Sequence, residues 1–558
     1  MAERLQRSLP AINPDFARRY RFHGGLRLED CREAASSRPI RPAGIPAQLV
    51  LPLQQHIGEP AECLVSPGEH VCKGQLVAQT VGRVSAAVHA STSGTVIAVE
   101  PRPVPHPSGL PAPCIVIETD GRDSPAANTP PALDYPNTDT DVLLERIRSA
   151  GIVGLGGAGF PTRAKLALHG AIELLLINGV ECEPCIACDD GLQRERADEV
   201  IEGVRILHRI LQPGACVIAV EDNMPEAEQA LRAALAECNE TGIHVVNVPT
   251  LYPTGGERQL IKVLTNREVP SQGFPADIGI ICQNVGTAAA VYQAVVKSQP
   301  LLSRIVTVSG DGVQEACNLE VLIGTPVSHL IEAAGGYTDH IERLLIGGPM
   351  MGYAVNTDAV PVIKTTNCIL AVTGRSMPAP PPARPCIRCG KCTEVCPANL
   401  LPQQLYWYAH SGNHDTAQDF GLFDCIECGC CAYVCPSHIQ LVQYYRHAKT
   451  EIWEQEKRKK AADIARARHE ARLARLERIK QERAEKLARK KQALSGGNSG
   501  DEARQAAIQA ALERVRKKKE QAGTTPRNIE NLTPEQQRLI DAADQRRRER
   551  TRPPQETD

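Results

Sequence analysis

The stretch Cys386–Pro436 opens CIRCGKCTEVCP (386–397), runs through a spacer, and closes CIECGCCAYVCP (425–436). Each half spells Cys-x2-Cys-x2-Cys-x3-Cys-Pro, the bacterial ferredoxin run in which three cysteines hold one iron-sulfur cluster and the fourth ligates the other. Two-residue gaps let consecutive thiolates wrap one compact cluster, and Pro397 and Pro436 turn each fourth thiolate toward the partner cluster. The spacing therefore assigns Cys386, Cys389, Cys392 and Cys435 to one 4Fe-4S cluster, and Cys425, Cys428, Cys431 and Cys396 to a second. Cys430 is left over. Zinc sites also use Cys-x2-Cys pairs, but an ion with four ligands has no use for a repeated three-plus-one spacing.

Working outward, 558 residues exceed one core and suggest three or four domains. Nine of the 21 cysteines lie in the twin run, whose clusters require reduced thiolates, and MAERLQRSLP has no apolar core behind its basic start. Both features point to a cytoplasmic, reducing setting. The nearest apolar run, Ile172–Ile177, is far short of the ~18–20 residues that cross a bilayer, so the expectation is a soluble or peripheral protein. From Glu451 onward there are 28 Lys and Arg against 19 Asp and Glu, whereas the preceding residues hold 35 against 46. That is a basic arm on an acidic body. Nucleic-acid binding is not expected, because neither aromatic interleaving nor a recognition fold accompanies the charge; a solvated face or membrane-surface contact fits the arm better.

Between Leu51 and Val104, strand-length runs alternate with the turns Pro67-Gly68, Lys73-Gly74 and Ser93-Gly94. The pattern resembles the biotinyl/lipoyl barrel-sandwich family, in which a lysine at the hairpin tip carries the cofactor. Here the tip is Ala90, Ser91, Thr92 and Ser93, so a docking or structural role is expected. Next comes a linker rich in Pro, Asn, Thr and Asp, then a helix over about 141–150, then GLGGAGFPTRAK (154–165). Gly154-x-Gly156-x-x-Gly159 matches the dinucleotide fingerprint, with Glu181 at the distance of a ribose partner. That fingerprint needs a strand before it and a helix after it; the residues before it read as helix, and Pro161 interrupts the segment after it. The alternatives are a tight turn, or a loop whose bare N–H groups approach a phosphate or a flat ring, with Lys165 supplying positive charge.

The segment ACVIAVE (215–221), PEAEQALRAALAE (225–237), IHVVNVP (243–249) reads as β-α-β, the mark of an α/β domain, with Ala227, Ala230, Leu231 and Ala234 as its helix's core stripe. Cys182, Cys185 and Cys188 in ECEPCIACDD mimic three ligands of a further cluster, but no fourth Cys-Pro lies within reach, and small buried thiols are the plainer reading. From Ser303 to Val372 short strands flank EVLIGTPVSHLIEAAGG, where His329 and His340 stand alone and read as surface or hydrogen-bonded residues. SMPAPPPARP (376–385) is an extended spacer. Within the cluster segment, Tyr406, Trp407 and Tyr408 read as packing for a small domain. Glu451–Leu494 lacks Pro and Gly and predicts a polar helix of about 65 Å. After GGNSG (496–500), a short helical piece and an Arg/Pro-rich end, expected to be disordered, complete the chain.

Four motifs in order, GLGGAGFPTRAK, INGVECEP (177–184), YPTGGE (252–257) and QNVGT (283–287), resemble the flavin subunit of respiratory complex I. With the barrel before them and the twin cysteine run behind, the chain from about residue 30 to 445 resembles the C subunits of Rnf-type electron transport complexes. That resemblance implies a multidomain α/β and α+β protein: an N-terminal region with a barrel-sandwich domain (1–123), a linker (124–140), an FMN/NADH-binding α/β domain (141–302), a β-grasp module (303–375), a Pro-rich linker (376–385), a ferredoxin domain with two 4Fe-4S clusters (386–445), a charged helix (446–495) and a low-complexity basic tail (496–558). It further implies that Gly154, Gly156, Asn178, Glu181, Gly255, Asn284 and Thr287 surround FMN, and that Gly157, Phe160, Lys165, Glu183 and Glu257 face NADH. No side chain is assigned a catalytic role beyond holding cofactors. The implied protein is a peripheral electron-input subunit on the cytoplasmic face of a bacterial inner membrane, an oxidoreductase of the translocase class. It would pass electrons between NAD(H), FMN and two clusters to membrane subunits, with ferredoxin an indirect partner. Val180, Gly256, Gln283 and Gly286 depart from the complex I pattern and remove three carboxylates from the pocket. On that departure rests the alternative of a non-flavin iron-sulfur adaptor or scaffold; a weaker one is a cytosolic NADH-dependent reductase that works without a membrane complex.

Overall fold

The computed structural model describes residues 16, 18–167, 170–238, 240, 242–338, 340–495, 501–521, 537 and 541. The GGNSG stretch and nearly all of the Arg/Pro-rich end lie outside the described residues. Residues 1–456 form one compact unit and 457–558 a second.

The centre of the first unit is a four-stranded parallel sheet: β1 (Leu174–Gly179), β2 (Ala215–Glu221), β3 (Ile243–Val248) and β4 (Ile280–Asn284), in the order β3-β2-β1-β4. Leu174, Leu175, Leu176 and Ile177 are all fully buried, as expected of a parallel strand covered on both faces. Each such side chain contributes about 1.5–3 kcal/mol on burial. One face packs under Thr140–Ser149, Ala197–Leu211, Pro225–Glu237 and α3 (Val285–Val295), the other under α2 (Glu257–Thr265). Because β1 lies between β2 and β4, the strand order reverses there, and in such sheets ligands bind beyond the carboxyl ends at that point. Asn178 of β1 and Asn284 of β4 are register partners at those ends. The glycine loop is preceded by the helix Thr140–Ser149 and lies above α3, not between β1 and its own helix, so the dinucleotide-fingerprint reading lacks its structural context.

Two small antiparallel sheets form the module expected to be a barrel-sandwich. Its hairpin tip is buried: Ser91, Thr92 and Ser93 are inaccessible, and the Ser91 hydroxyl donates to the Ile323 carbonyl at 2.7 Å. A fourth sheet, of six strands, carries residues 303–372, but its edge strand is Arg41–Pro42, paired parallel to Cys317–Leu322. Arg41 and Pro42 thus belong to this sheet and not to the two-sheet module. Buried Lys364 joins all three bodies, its ammonium donating to the carbonyls of Ala87 (2.5 Å) and Gly151 (2.6 Å). The linker after residue 124 is also fastened, with the Leu133 N–H on Val295 O and the Tyr135 hydroxyl on Glu202.

In the cysteine-rich module Tyr406 stacks on His410 and meets Tyr444 edge-on, while Tyr408 packs on Phe420. The terminal helix starts earlier than its composition suggests, at Leu441, because Leu441, Val442, Tyr445, Ala448 and Ile452 are core residues of this module. In the second unit it continues to Ser495 with every described side chain exposed, and a second helix spans Asp501–Gln521. Among the described residues no helix is long and apolar enough to cross a membrane.

Candidate functional site

The glycine loop closes on itself through the N–H of Gly154 on the Phe160 carbonyl (2.9 Å) and the N–H of Gly159 on Gly154 (3.2 Å). Its base is pinned to the N-terminus of α3, where the Leu155 N–H donates to the buried Thr287 hydroxyl at 2.9 Å. The tip is bare: Gly156, Gly157 and Ala158 are exposed, and among the described residues their N–H groups meet no acceptor. Gly157 has φ +101°, and a Cβ there would meet nothing within 4 Å, so the backbone faces open space in a conformation that favours glycine. Lys165, half-buried, pairs with Glu257 at 2.7 Å. Free backbone N–H groups next to a helix N-terminus are the kind of donor set that anions bind.

Beneath the loop, the carried-over residues form one network. The Asn178 amide donates to the Gly255 carbonyl at 2.9 Å, and its oxygen accepts from the Val180 N–H. Asn284 caps α3 by accepting from the Gly286 N–H, and its amide reaches the Asn178 carbonyl (3.4 Å) and the Asp189 carboxylate (2.6 Å). Glu181 caps α1 (Cys188–Glu195), accepting from the N–H groups of Asp189 (3.1 Å) and Asp190 (3.0 Å). Burial first, then the charge of Asp189, pushes the Glu181 carboxyl up to about 8. Burial also raises Asp189, opposed by its bond from Asn284 and by the buried cation of Arg304. Gly255 is needed for close approach: a Cβ would lie 2.7 Å from the Val180 carbonyl.

Glu183 stands apart from the loop tip. Its carboxylate accepts from the N–H groups of Met350 (2.7 Å) and Met351 (2.9 Å) in the six-stranded module, and burial raises its pKa. The three cysteines of ECEPCIACDD also go separate ways. Cys182 accepts from the Gly255 N–H at 3.3 Å, Cys185 is joined to Cys31 in a disulfide, and the Cys188 thiol donates to Glu181 at 3.2 Å. They do not converge as ligands of a third cluster.

The twin cysteine run folds into two cavities. Cys386, Cys389, Cys392 and Cys435 line one of about 300 Å3, with Ile387, Trp407 and Gln403 in its wall. Cys396, Cys425, Cys428 and Cys431 line the other, closed down to about 20 Å3 among Pro397, Leu405, Val442 and Tyr445. The second set is the more deeply buried: Cys396, Cys428 and Cys431 are under a tenth exposed, whereas Cys389 is open to solvent. Burial pushes the Cys425 thiol up to about 12, opposed by the nearby charge of Lys449. Cys430, fully buried, directs its S–H at Cys428, and that bond is the main reason the Cys428 pKa is lowered.

The inner cavity is also the one that meets the parallel-sheet domain. The Tyr252 hydroxyl, in the loop that bears Gly255, donates to the Cys428 carbonyl at 2.6 Å. The Gln259 amide of α2 donates to the Pro397 carbonyl (3.2 Å), and Arg258 pairs with Asp424 (3.2 Å). A strap of N-terminal residues lies in the same seam: His23 bonds to the Cys396 carbonyl (2.9 Å), the Gly25 N–H donates to Val395, and Leu26 bridges to Tyr252. Further along the strap, Arg32 donates to the Glu181 carbonyl and pairs with buried Glu221.

Profiles of four families match the chain in order: the RnfC barrel sandwich hybrid domain over residues 20–122, the Nuo51 FMN-binding domain over 147–293, the SLBB domain over 305–354, and a 4Fe-4S dicluster domain over 385–439. The C subunit of the ion-translocating oxidoreductase complex of Pseudomonas aeruginosa is 52% identical over 465 residues, 83% of this chain and 60% of that protein. The protein of the same name from Serratia proteamaculans is 44% identical over 546 residues, 95% of this chain and 75% of that protein. The chain belongs to the family of C subunits of ion-translocating oxidoreductase complexes. A crystal structure of an NAD+-reducing NiFe hydrogenase in the air-oxidized state aligns at a TM-score of 0.38 and 18% identity, covering 50% of this chain and 53% of that one.

Within this member of the C-subunit family, the FMN-binding and dicluster domains stand side by side, and the residues present fit both groups. For a flavin nucleotide the fit rests on the unpartnered N–H groups of 156–158 and on Asn284, which caps the helix and lies against Gly156. For clusters it rests on two convergent sets of four thiols. Gly154, Gly156, Gly157, Phe160, Lys165, Glu257 and Thr287 lie on or beside the loop, Asn178, Glu181, Gly255 and Asn284 lie in the network below, and Glu183 lies in the seam with the six-stranded module. Asp189, Arg304, Tyr252 and His23 escaped sequence reasoning. Tyr252 was within reach, since it opens the YPTGGE motif; His23 is tied to its partner only by the fold.

Proposed function

We propose that this chain is the peripheral electron-input subunit of an ion-translocating oxidoreductase complex, passing electrons between NAD(H), FMN and two 4Fe-4S clusters and on to membrane subunits on the cytoplasmic face. The observation that carries this reading is the 2.6 Å bond from Tyr252 to the Cys428 carbonyl, which ties the loop bearing Gly255 to the wall of one four-cysteine cavity. When bound, FMN supplies hydride acceptance and release of electrons one at a time, which no side chain here offers. The chain's own residues do the positioning. Gly156, Gly157, Ala158 and Lys165 present donors and charge to a phosphate; Asn178 and Asn284 fix the floor; Gly255 lets backbone approach closely. Cys396, Cys425, Cys428 and Cys431 then hold the inner cluster, and Cys386, Cys389, Cys392 and Cys435 the outer one. Other subunits of the complex are the direct partners, and ferredoxin an indirect one.

The test is spectroscopic and kinetic. Purified protein with its clusters reconstituted is expected to contain about eight irons per chain, to show a flavin spectrum, and to reduce a small dye with NADH. Protein saturated with FMN and full in iron, yet inert to NADH, would favour the adaptor reading. A metal analysis that finds only zinc would overturn the cluster assignment.

A further inference from the structure

We propose that the mouth of the outer four-cysteine cavity is a docking surface for an acidic protein that carries its own one-electron centre. This rests on the electron-transfer reading above and adds the partner's chemistry to it. Two large apolar side chains in the cavity wall are bare, Ile387 at 68% and Trp407 at 43% exposure, next to the exposed thiol of Cys389. Arg384, Arg388 and Lys391 stand around them, all exposed, and none forms an ion pair among the described residues. The single acid on the short helix Lys391–Glu394 is Glu394. An apolar centre within a charged rim, over an exposed redox ligand, is the anatomy of a small transient interface.

The charge is local. Before residue 451 the chain carries 35 basic against 46 acidic residues, so an acidic carrier is repelled by the body as a whole and drawn to this rim. The inner run has the opposite furnishing at the matching positions: Glu427 stands where the outer run has Arg388, neutralised by Arg446 and Lys449, and Cys430 stands where it has Lys391. That run faces protein; the outer run faces solvent with its basic groups free.

The experiment measures binding of the cluster-loaded full chain to a small acidic flavodoxin, with a small basic cytochrome c and vesicles of phosphatidylglycerol as parallel probes. Flavodoxin is expected to bind, to weaken at least tenfold between low and high salt, and to weaken at least tenfold in the triple variant Arg384→Glu, Arg388→Glu, Lys391→Glu. The cytochrome, drawn to the acidic body instead of the rim, should bind the triple variant at least as tightly as the parent; weaker cytochrome binding by the variant would overturn the proposal. Ile387→Ser, which leaves the charge intact, should weaken binding at every salt concentration. Equal flavodoxin binding by parent and triple variant, no salt dependence, or a rim-dependent preference for the vesicles would each overturn the proposal. NADH-driven dye reduction and iron content, both expected to match the parent in the triple variant, report separately on the function itself: their loss in the parent refutes that reading, while the binding result still decides the docking surface.

Discussion

The two cysteine runs share one spelling and occupy two environments. In the outer run Cys389 is exposed, and Arg388 and Lys391 point their charge into solvent. In the inner run the same positions are filled by Glu427, locked between Arg446 and Lys449, and by Cys430, wholly buried beside Cys428. The inner run bonds to Tyr252, Gln259 and His23; the outer run's cavity opens outward. Ligand spacing is therefore the same message twice, whereas the residues between the ligands decide which cavity faces the flavin-binding domain and which faces a partner.

Breaking one run at a time should have the largest effect. Cys428→Ser is expected to lose about four irons and all NADH-dependent reduction of the remaining cluster, while Cys389→Ser loses a similar amount of iron but keeps NADH-dependent reduction of the inner one. Iron analysis with EPR after NADH addition measures both. Identical behaviour of the two variants would erase the distinction between the runs.

A smaller effect is expected at the seam. Tyr252→Phe leaves the buried Cys428 carbonyl without its donor, a local cost of about 1–3 kcal/mol. Hydrogen exchange should quicken around 425–431 and stay unchanged around 386–392. Smaller again is the contribution of Cys430. Hydrogen bonds to ligating sulfur help set cluster potentials, and a donor favours the more negative reduced state. Cys430→Ala should therefore lower the inner midpoint potential alone in an EPR-monitored titration, with Cys430→Ser restoring part of the shift; an unmoved inner potential would remove Cys430 from that role.

Much of this was legible in the sequence, because it was local. The two sets of four cysteines follow from spacing and line two separate cavities, and the four glycine- and asparagine-bearing motifs meet at the strand ends of one parallel sheet. What was hidden is long-range. Nothing in RFHGGLRLEDC (21–31) announces that His23 will reach Cys396, Leu26 pair with Tyr252, or Cys31 join Cys185, since these partners lie hundreds of residues away or carry no periodic signal. Arg41–Pro42 is too short to read as a strand at all, and it belongs to a sheet whose other strands begin at residue 303. Glu183 resembles its neighbour Glu181 in sequence, but the carboxylates diverge because one meets the N-terminus of α1 and the other the Met350–Met351 backbone.

A separate prediction concerns Glu181, beneath the glycine loop. Burial, then the charge of Asp189, pushes its carboxyl from 4.5 up to about 8. Between those values the folded state holds the extra proton, so stability falls as pH rises through this window. Glu181→Gln has no such proton to lose; it should be less stable than the parent at pH 5 and change less between pH 5 and 8 in thermal melts. A variant slope as steep as the parent's would contradict that assignment.

The most direct test of the account follows electrons in time. Parent protein mixed with NADH and frozen at successive intervals should show the EPR signal that Cys428→Ser abolishes before the signal that Cys389→Ser abolishes. Appearance of the outer signal first would contradict the placement of the inner run between the nucleotide site and the exposed cavity.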